Sequence, residues 1–200
     1  MSKQIRCFKY LLAGIVSLAA LHAHSAEFAV ARGDVAGLGA AIVQANANAD
    51  CLNRIILPSG TWTLTQLWTG ADATPNTGLP LVDLSRANSC SPFGFGGKAL
   101  EIQGAGQALT ILERAPNAPR LRHFSVTPGG FGSQLGGPAG LTLSDLTLRG
   151  GELFPTSVSD FCCNGGAIRN DSSDVTLNRV AILNNRAVQG GAIEVQTGRP

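Results

Sequence analysis

Residues 140–149 read GLTLSDLTLR and residues 174–183 read DVTLNRVAIL, and the reading of these two stretches decides the fold. Leu141, Leu143, Leu146 and Leu148 map onto Val175, Leu177, Val180 and Ile182 at a constant displacement of 34 residues. Downstream, Gly165-Gly166-Ala167-Ile168 maps onto Gly190-Gly191-Ala192-Ile193 at a displacement of 25, so the first copy carries nine extra residues between Leu148 and Gly165. Apolar positions that stay in step while a connection changes length are the mark of stacked repeats. Within each copy, apolar residues alternate with Thr, Ser or Asn, and two polar residues interrupt the period of two. That pattern predicts two short half-buried strands meeting at a corner. A third strand follows each Gly-Gly, where the absence of a Cβ lets the chain turn. Three strands per turn, each stacked on its equivalent, predict a right-handed parallel β-helix, the hand following from the crossover rule.

Working outward, RIILPSGTWTLT at 54–65 repeats the two-strand pattern through Ile55, Leu57, Trp62 and Leu64. KALEIQGAGQALTIL at 98–112 does so through Leu100, Ile102, Leu109 and Ile111, with His123-Phe124-Ser125-Val126 as its third strand. First strands at Ile55, Leu100, Leu141 and Val175 then mark successive turns. Before them, Leu38, Ala41, Ile42 and Ala45 recur at helical spacing behind Asp34 as N-cap, predicting a helix that lids the N-terminal end of the stack. Phe28-Ala29-Val30 reads as an edge or capping strand.

The expected organisation is a signal peptide at 1–26, a cap of strand plus helix at 27–54, and β-helix turns over 55–200. Long loops are expected at 66–98 and 149–164. Lys3, Arg6 and Lys9 precede an apolar stretch from Tyr10 to Leu21, and Ala23, Ser25 and Ala26 offer cleavage after Ser25 or Ala26. The alternative, an N-terminal membrane anchor, is short of the ~20 apolar residues that a spanning helix needs. The 200 residues include 25 glycines and carry a net charge of +2, which gives no warrant for a nucleic-acid partner. An oxidising compartment favours disulfides among Cys51, Cys90, Cys162 and Cys163. Three pairings are open. Cys51–Cys90 is the favoured staple, and Cys162 and Cys163 stay unassigned thiols. No His or further Cys stands beside them at metal-ligand spacing.

The succession of Leu38, Ala41, Ile42, Ala45 and Asn46, then Ile55, Leu57 to Thr61 and Leu64, then Gly104 to Gly106, Leu141 to Gly151 and the two Gly-Gly-Ala-Ile runs resembles a known group. It is similar to the N-terminal part of secreted bacterial right-handed β-helix proteins, the family labelled by a CSLREA helix motif, and to polymorphic outer-membrane and adhesin-type repeat proteins. Here Gly37-Leu38-Gly39 stands where that label puts Cys-Ser-Leu-Arg. The resemblance implies an exported, non-catalytic surface module, usually part of a longer chain, that presents loops from a rigid shaft to a cell-surface glycan or protein. A C-terminal turn without a cap predicts end-to-end self-association, or further turns in a longer protein.

No residue is assigned as catalytic, cofactor-binding or metal-binding. Gly104-Ala105-Gly106 lacks the third glycine and the following helix of a dinucleotide fingerprint. A carbohydrate-active enzyme, a lyase on acidic polysaccharide, is the alternative. It would draw calcium ligands from Asp145, Asp160, Asp171 and Asp174 and a base from Arg149, Arg169 or Arg179. Calcium enters only under that alternative. Asp145 and Arg179 read as one step off corresponding corners, and corner Asp is ordinary turn chemistry. Arg120-Leu121-Arg122-His123 reads as a solvated loop face, with an anionic glycan contact as the other reading. Trp68, Phe93 and Phe95 are expected to pack on the flank. Asn184-Asn185 faces Gly150-Gly151 in the other copy, so no asparagine ladder is expected. Asn170-Asp171-Ser172 matches a glycosylation sequon and nothing more.

Overall fold

The computed structural model describes residues 25–84, 90, 98–126, 140–154, 163–171 and 173–196. The predicted leader up to residue 24, Phe93, Phe95, Asp160, Cys162 and Ser172 lie outside the described residues. In chain order the elements are β1 (Ser25–Ala29), α1 (Val35–Ala47), β2 (Leu52–Ile56), β3 (Gly60–Leu64), β4 (Ala99–Gln103), β5 (Thr110–Arg114) and β6 (Phe124–Val126). They continue with β7 (Gly140–Arg149), β8 (Glu152–Leu153), β9 (Ile168–Asp171), β10 (Val175–Leu183), β11 (Arg186–Ala187) and β12 (Ile193–Gln196). The protein is mostly strand with one helix among the described residues, and its described strand pairings are all parallel.

The pairings follow the sequence repeat. Val175, Leu177, Val180 and Ile182 of β10 lie opposite Leu141, Leu143, Leu146 and Leu148 of β7. Ile193 lies opposite Ile168, and Ile168 opposite Phe124. Like residues therefore stack into inward ladders: Ile55, Ile102 and Leu143 on one side, Trp62, Leu112 and Leu148 on the next, all with zero exposure. Each such Leu or Ile contributes roughly 1.5–3 kcal/mol by burial, so the ladders hold the sheets to one another. At the bends, Asp145 (φ 56°) and Arg179 (φ 50°) adopt the left-handed conformation at equivalent positions. Both are thus at the same corner, not one step off it.

Asp34 caps α1 as expected, its carboxylate accepting from Gly37 N at 2.8 Å. Leu38, Ala41, Ile42 and Ala45 are buried against the same core as Ile55 and Trp62. Gly39 is small for a reason: a Cβ there would sit 2.3 Å from the Trp68 ring. The other end of α1 is held by Lys98, only 2% exposed, whose ammonium donates to the carbonyls of Ala45 and Asn46 at 2.9 Å each and to Asn48 O. A cation on the last carbonyls of a helix satisfies orphan acceptors and the negative end of the dipole together.

Other expectations change as well. The segment 66–98 is not simply a loop: Leu79, Val82 and Leu84 are core, and Val82 bridges Val126 in parallel, which extends the stack of β6, β9 and β12. Buried Asn46 anchors this segment, donating to Asp72 Oδ2 and Leu81 O and accepting from Asp83 N. Ile55 stacks on Ile102, two residues beyond Leu100. In β5 the inward residues are Thr110 and Leu112, while Leu109 is 54% exposed. The tight turn in which Leu109 N and Thr110 N both donate to Gly106 O shifts the phase by one. Thr110 is accommodated inside because its hydroxyl accepts from Ala105 N and donates to Pro58 O. Lastly, Leu121, Arg122 and His123 are buried, at 0, 2 and 0% exposure, rather than a solvated face.

Cys51 and Cys90 are bonded to each other, their Cα atoms 5.3 Å apart. Cys163 is buried and disulfide-bonded, so it is not a thiol. No helix among the described residues is long and apolar enough to cross a membrane.

Candidate functional site

Side chains on the outer faces of the sheets form polar ladders because parallel register brings equivalent positions together. Glu27, Arg54 and Glu101 line up on one face, with Arg54 3.9 Å from Glu27 and 3.4 Å from Glu101. They floor a shallow groove of about 400 Å³ that also takes in Thr142. On the next face Thr63, Glu113 and Arg149 align, Thr63 Oγ1 donating to Glu113 Oε1 at 3.3 Å and Arg149 donating to Glu113 Oε2. A second groove, about 360 Å³, runs past Trp68 between α1 and β3. Trp68 itself is committed to the fold, its indole N–H donating to Ala71 O at 2.7 Å.

Several of the residues proposed for a lyase are occupied otherwise. Asp145 accepts from Arg179 Nε and Nη2 at 2.5 and 2.6 Å. That bond holds the Asp145 carboxyl below the usual carboxylate range and raises Arg179. Arg149 is bound to Glu113, and Arg169 faces Glu194. Asp171 and Asp174 sit on either side of Ser173, with Asp174 O accepting from Leu141 N. Three His, Cys, Asp or Glu side chains converge nowhere among the described residues.

Two arginines gather instead at Phe154, beside the extra residues of 149–164. Arg120 Nη1 donates to Phe154 O at 2.5 Å, and the Arg186 guanidinium lies 4.8 Å from the Phe154 ring centroid. Cation–ring contacts of this kind are worth ~0.5–1 kcal/mol at exposed sites and orient the guanidinium plane. Two residues along from Arg120, Arg122 is buried. Desolvation, then the nearby Arg169, lower its pKa to about 10, against a smaller raising effect of Glu194. It stays charged at neutral pH. The Arg186 backbone lies against Gly166, three residues before Arg169. Glu194 accepts from Asn164 Nδ2 at 2.6 Å, but its Oε2 and Arg169 Nε, 4.0 Å apart, are both buried without a hydrogen bond. Arg169 therefore faces Glu194, with Arg122 close enough to feel its charge, while Glu152 is taken by Arg114 at 3.3 Å. Such a surface can hold a carboxylated or sulfated chain through forked hydrogen bonds.

Sequence reasoning flagged 149–164 and offered an anionic contact for Arg120–His123. It missed Arg186 and Glu194, whose only signal was their place beside the Gly190-Gly191 copy. Asn185, weighed only as a ladder residue, has a different role. Its side chain donates to Leu148 O at 3.0 Å and accepts from Gly151 N at 2.7 Å, joining one rung to the next without a ladder. No family model matches the chain, and neither a curated protein nor a solved structure matches it.

Proposed function

We propose that this chain is an exported, non-catalytic, right-handed parallel β-helix capped by α1, whose arginine flank beside 149–164 binds an anionic cell-surface glycan. The carrying observation is that Arg120 and Arg186 meet on Phe154, while Arg169 faces an incompletely hydrogen-bonded Glu194. The β-helix reading is supported by parallel register at the repeat offsets and by corners that recur at equivalent residues. Export is supported by the basic and apolar stretches before Ser25 and by two oxidised cysteine sites, which belong to an oxidising compartment. The resemblance to adhesin-type repeat proteins points the same way.

Binding of the purified chain to polygalacturonate, with and without calcium, tests the function. The expected result is salt-sensitive binding with no unsaturated product in the ultraviolet, weakened at least severalfold in an Arg120→Ala/Arg186→Ala variant. Unsaturated product would establish the lyase instead. Binding equal in both proteins would remove the flank as the site.

A further inference from the structure

Between α1 and β3 the surface changes character. The outer faces of the sheets carry charged ladders, but no charged side chain lines the groove of about 360 Å³ that runs past Trp68. That groove combines apolar Val35 and Leu67 with Thr65, Gln66 and Thr69. The three polar side chains are exposed and make no hydrogen bond among the described residues. Trp68 lies among them, half-buried. Its indole is held in place twice over. The N–H donates to Ala71 O at 2.7 Å, and a Cβ on Gly39 or Gly70 would stand 2.3 or 2.8 Å from the six-membered ring. Neither glycine lays a side chain on the ring. An aromatic surface fixed in this way binds without first having to be ordered.

We infer that this groove binds an uncharged saccharide, with a pyranose ring packed on Trp68 and its hydroxyls taken by Thr65, Gln66 and Thr69. The chemistry of the lining selects that class. Pyranose C–H groups carry a small positive charge and meet the negative face of an aromatic ring. A sugar hydroxyl needs a donor and an acceptor, and a Gln amide and a Thr hydroxyl each supply both. An anionic chain would find no cation here to offset its desolvation, and a cation would find no carboxylate. A wholly apolar ligand would cover three polar groups and leave them unpaired. The volume lies within the ~300–1,000 Å³ of small-ligand sites, which suits a short stretch of sugar chain. The groove belongs to α1 and the chain from β3 to Gly78, whereas the arginine flank belongs to β8 and β11 and their surroundings. The inference therefore does not rest on anionic binding at that flank.

Intrinsic fluorescence reads this site directly, because the chain has two tryptophans and the other, Trp62, has zero exposure. The full chain, as its expression host processes it, is titrated with cellotetraose and with mannotetraose. The expected result is a saturable change in emission with at least one of them, its midpoint unmoved by added sodium chloride or by polygalacturonate. Gln66→Ala/Thr69→Ala removes only exposed, unbonded groups and should raise the midpoint by roughly fivefold or more. Trp68→Ala should abolish binding, read by calorimetry, and circular dichroism checks that both variants keep the strand signal. No saturable change with either sugar overturns the proposal, as does binding that either variant leaves intact. Binding that salt weakens and Arg120→Ala/Arg186→Ala abolishes would move the sugar to the arginine flank and overturn it too. Failure of polygalacturonate to bind would count against the anionic reading alone.

Discussion

At the scale of single residues, His123 carries the clearest linkage to solution conditions. Its imidazole is fully enclosed, and burial pushes its pKa down to about 4; the carbonyls of Arg149 and Leu112 nearby offset this only in part. Neither ring nitrogen reaches full hydrogen-bonding geometry. The unfolded chain, with an ordinary histidine near 6.5, therefore binds more protons than the folded one between pH 6.5 and 4. Stability is intact above that window and falls as the pH drops through it, by ~1.4 kcal/mol per unit and about 3 kcal/mol in all. Urea midpoints at pH 7, 5 and 4 should fall more steeply for the native chain than for His123→Leu. Parallel falls would exclude this histidine as the cause. Nothing in the local sequence announced this burial. Arg120, Arg122 and His123 are polar neighbours, and a solvated face was the natural reading. Ala167 and the carbonyls of Leu112 and Arg149, which meet His123, come from other strands, where spacing along the chain carries no signal.

At the scale of elements, the strands were legible where register is enforced twice, by alternation and by a second copy. Leu141 to Leu148 and Val175 to Ile182 carry both, and their pairing agrees residue for residue. β5 carries only alternation, and the turn at Gly106 shifted its phase, which put Thr110 rather than Leu109 inside. The segment from Leu79 to Leu84 was opaque because single apolar residues, spaced by Pro80 and Asp83, make the third side of the first turn. Its anchors are Asn46 and the Cys51–Cys90 bond, across a separation of 39 residues. Closing a loop of that length removes about 4 kcal/mol worth of unfolded-state entropy. Cys51→Ser/Cys90→Ser should lower unfolding stability by that order, read as a drop in the guanidinium midpoint, with Cys163 left oxidised. An unchanged midpoint would mean that Asn46 and Lys98 alone hold the segment. Lys98 illustrates the same limit: its neighbours Gly97 and Ala99 give no sign that its ammonium closes a helix end 50 residues earlier in the chain.

For the whole molecule, contacts run chiefly between paired parallel strands, so stability is lowest where a strand has one neighbour. Amide exchange should be slowest in β4 and β7, which are flanked on both sides, and fastest in β10 and β12 at low protein concentration. Equal protection in β7 and β10 at high dilution would contradict this gradient. The arginine flank was legible only in outline at this scale. The extra length at 149–164 could be counted, but the meeting of Arg120 and Arg186 on Phe154 depends on rungs that the repeat alone does not join.

The nine-residue difference between the two copies has a consequence for how such a chain can change. Strand β8 ends at Leu153, which is buried and pairs with Ala187, and Asn164 bridges Gln189 in parallel. Both points are held by the neighbouring strand. The entropic cost of closing a connection rises only by ~0.6 kcal/mol for each doubling of its length. Residues can therefore be gained or lost between these two points at little cost to the stack. The corner is a place where recognition can diversify while the frame stays constant.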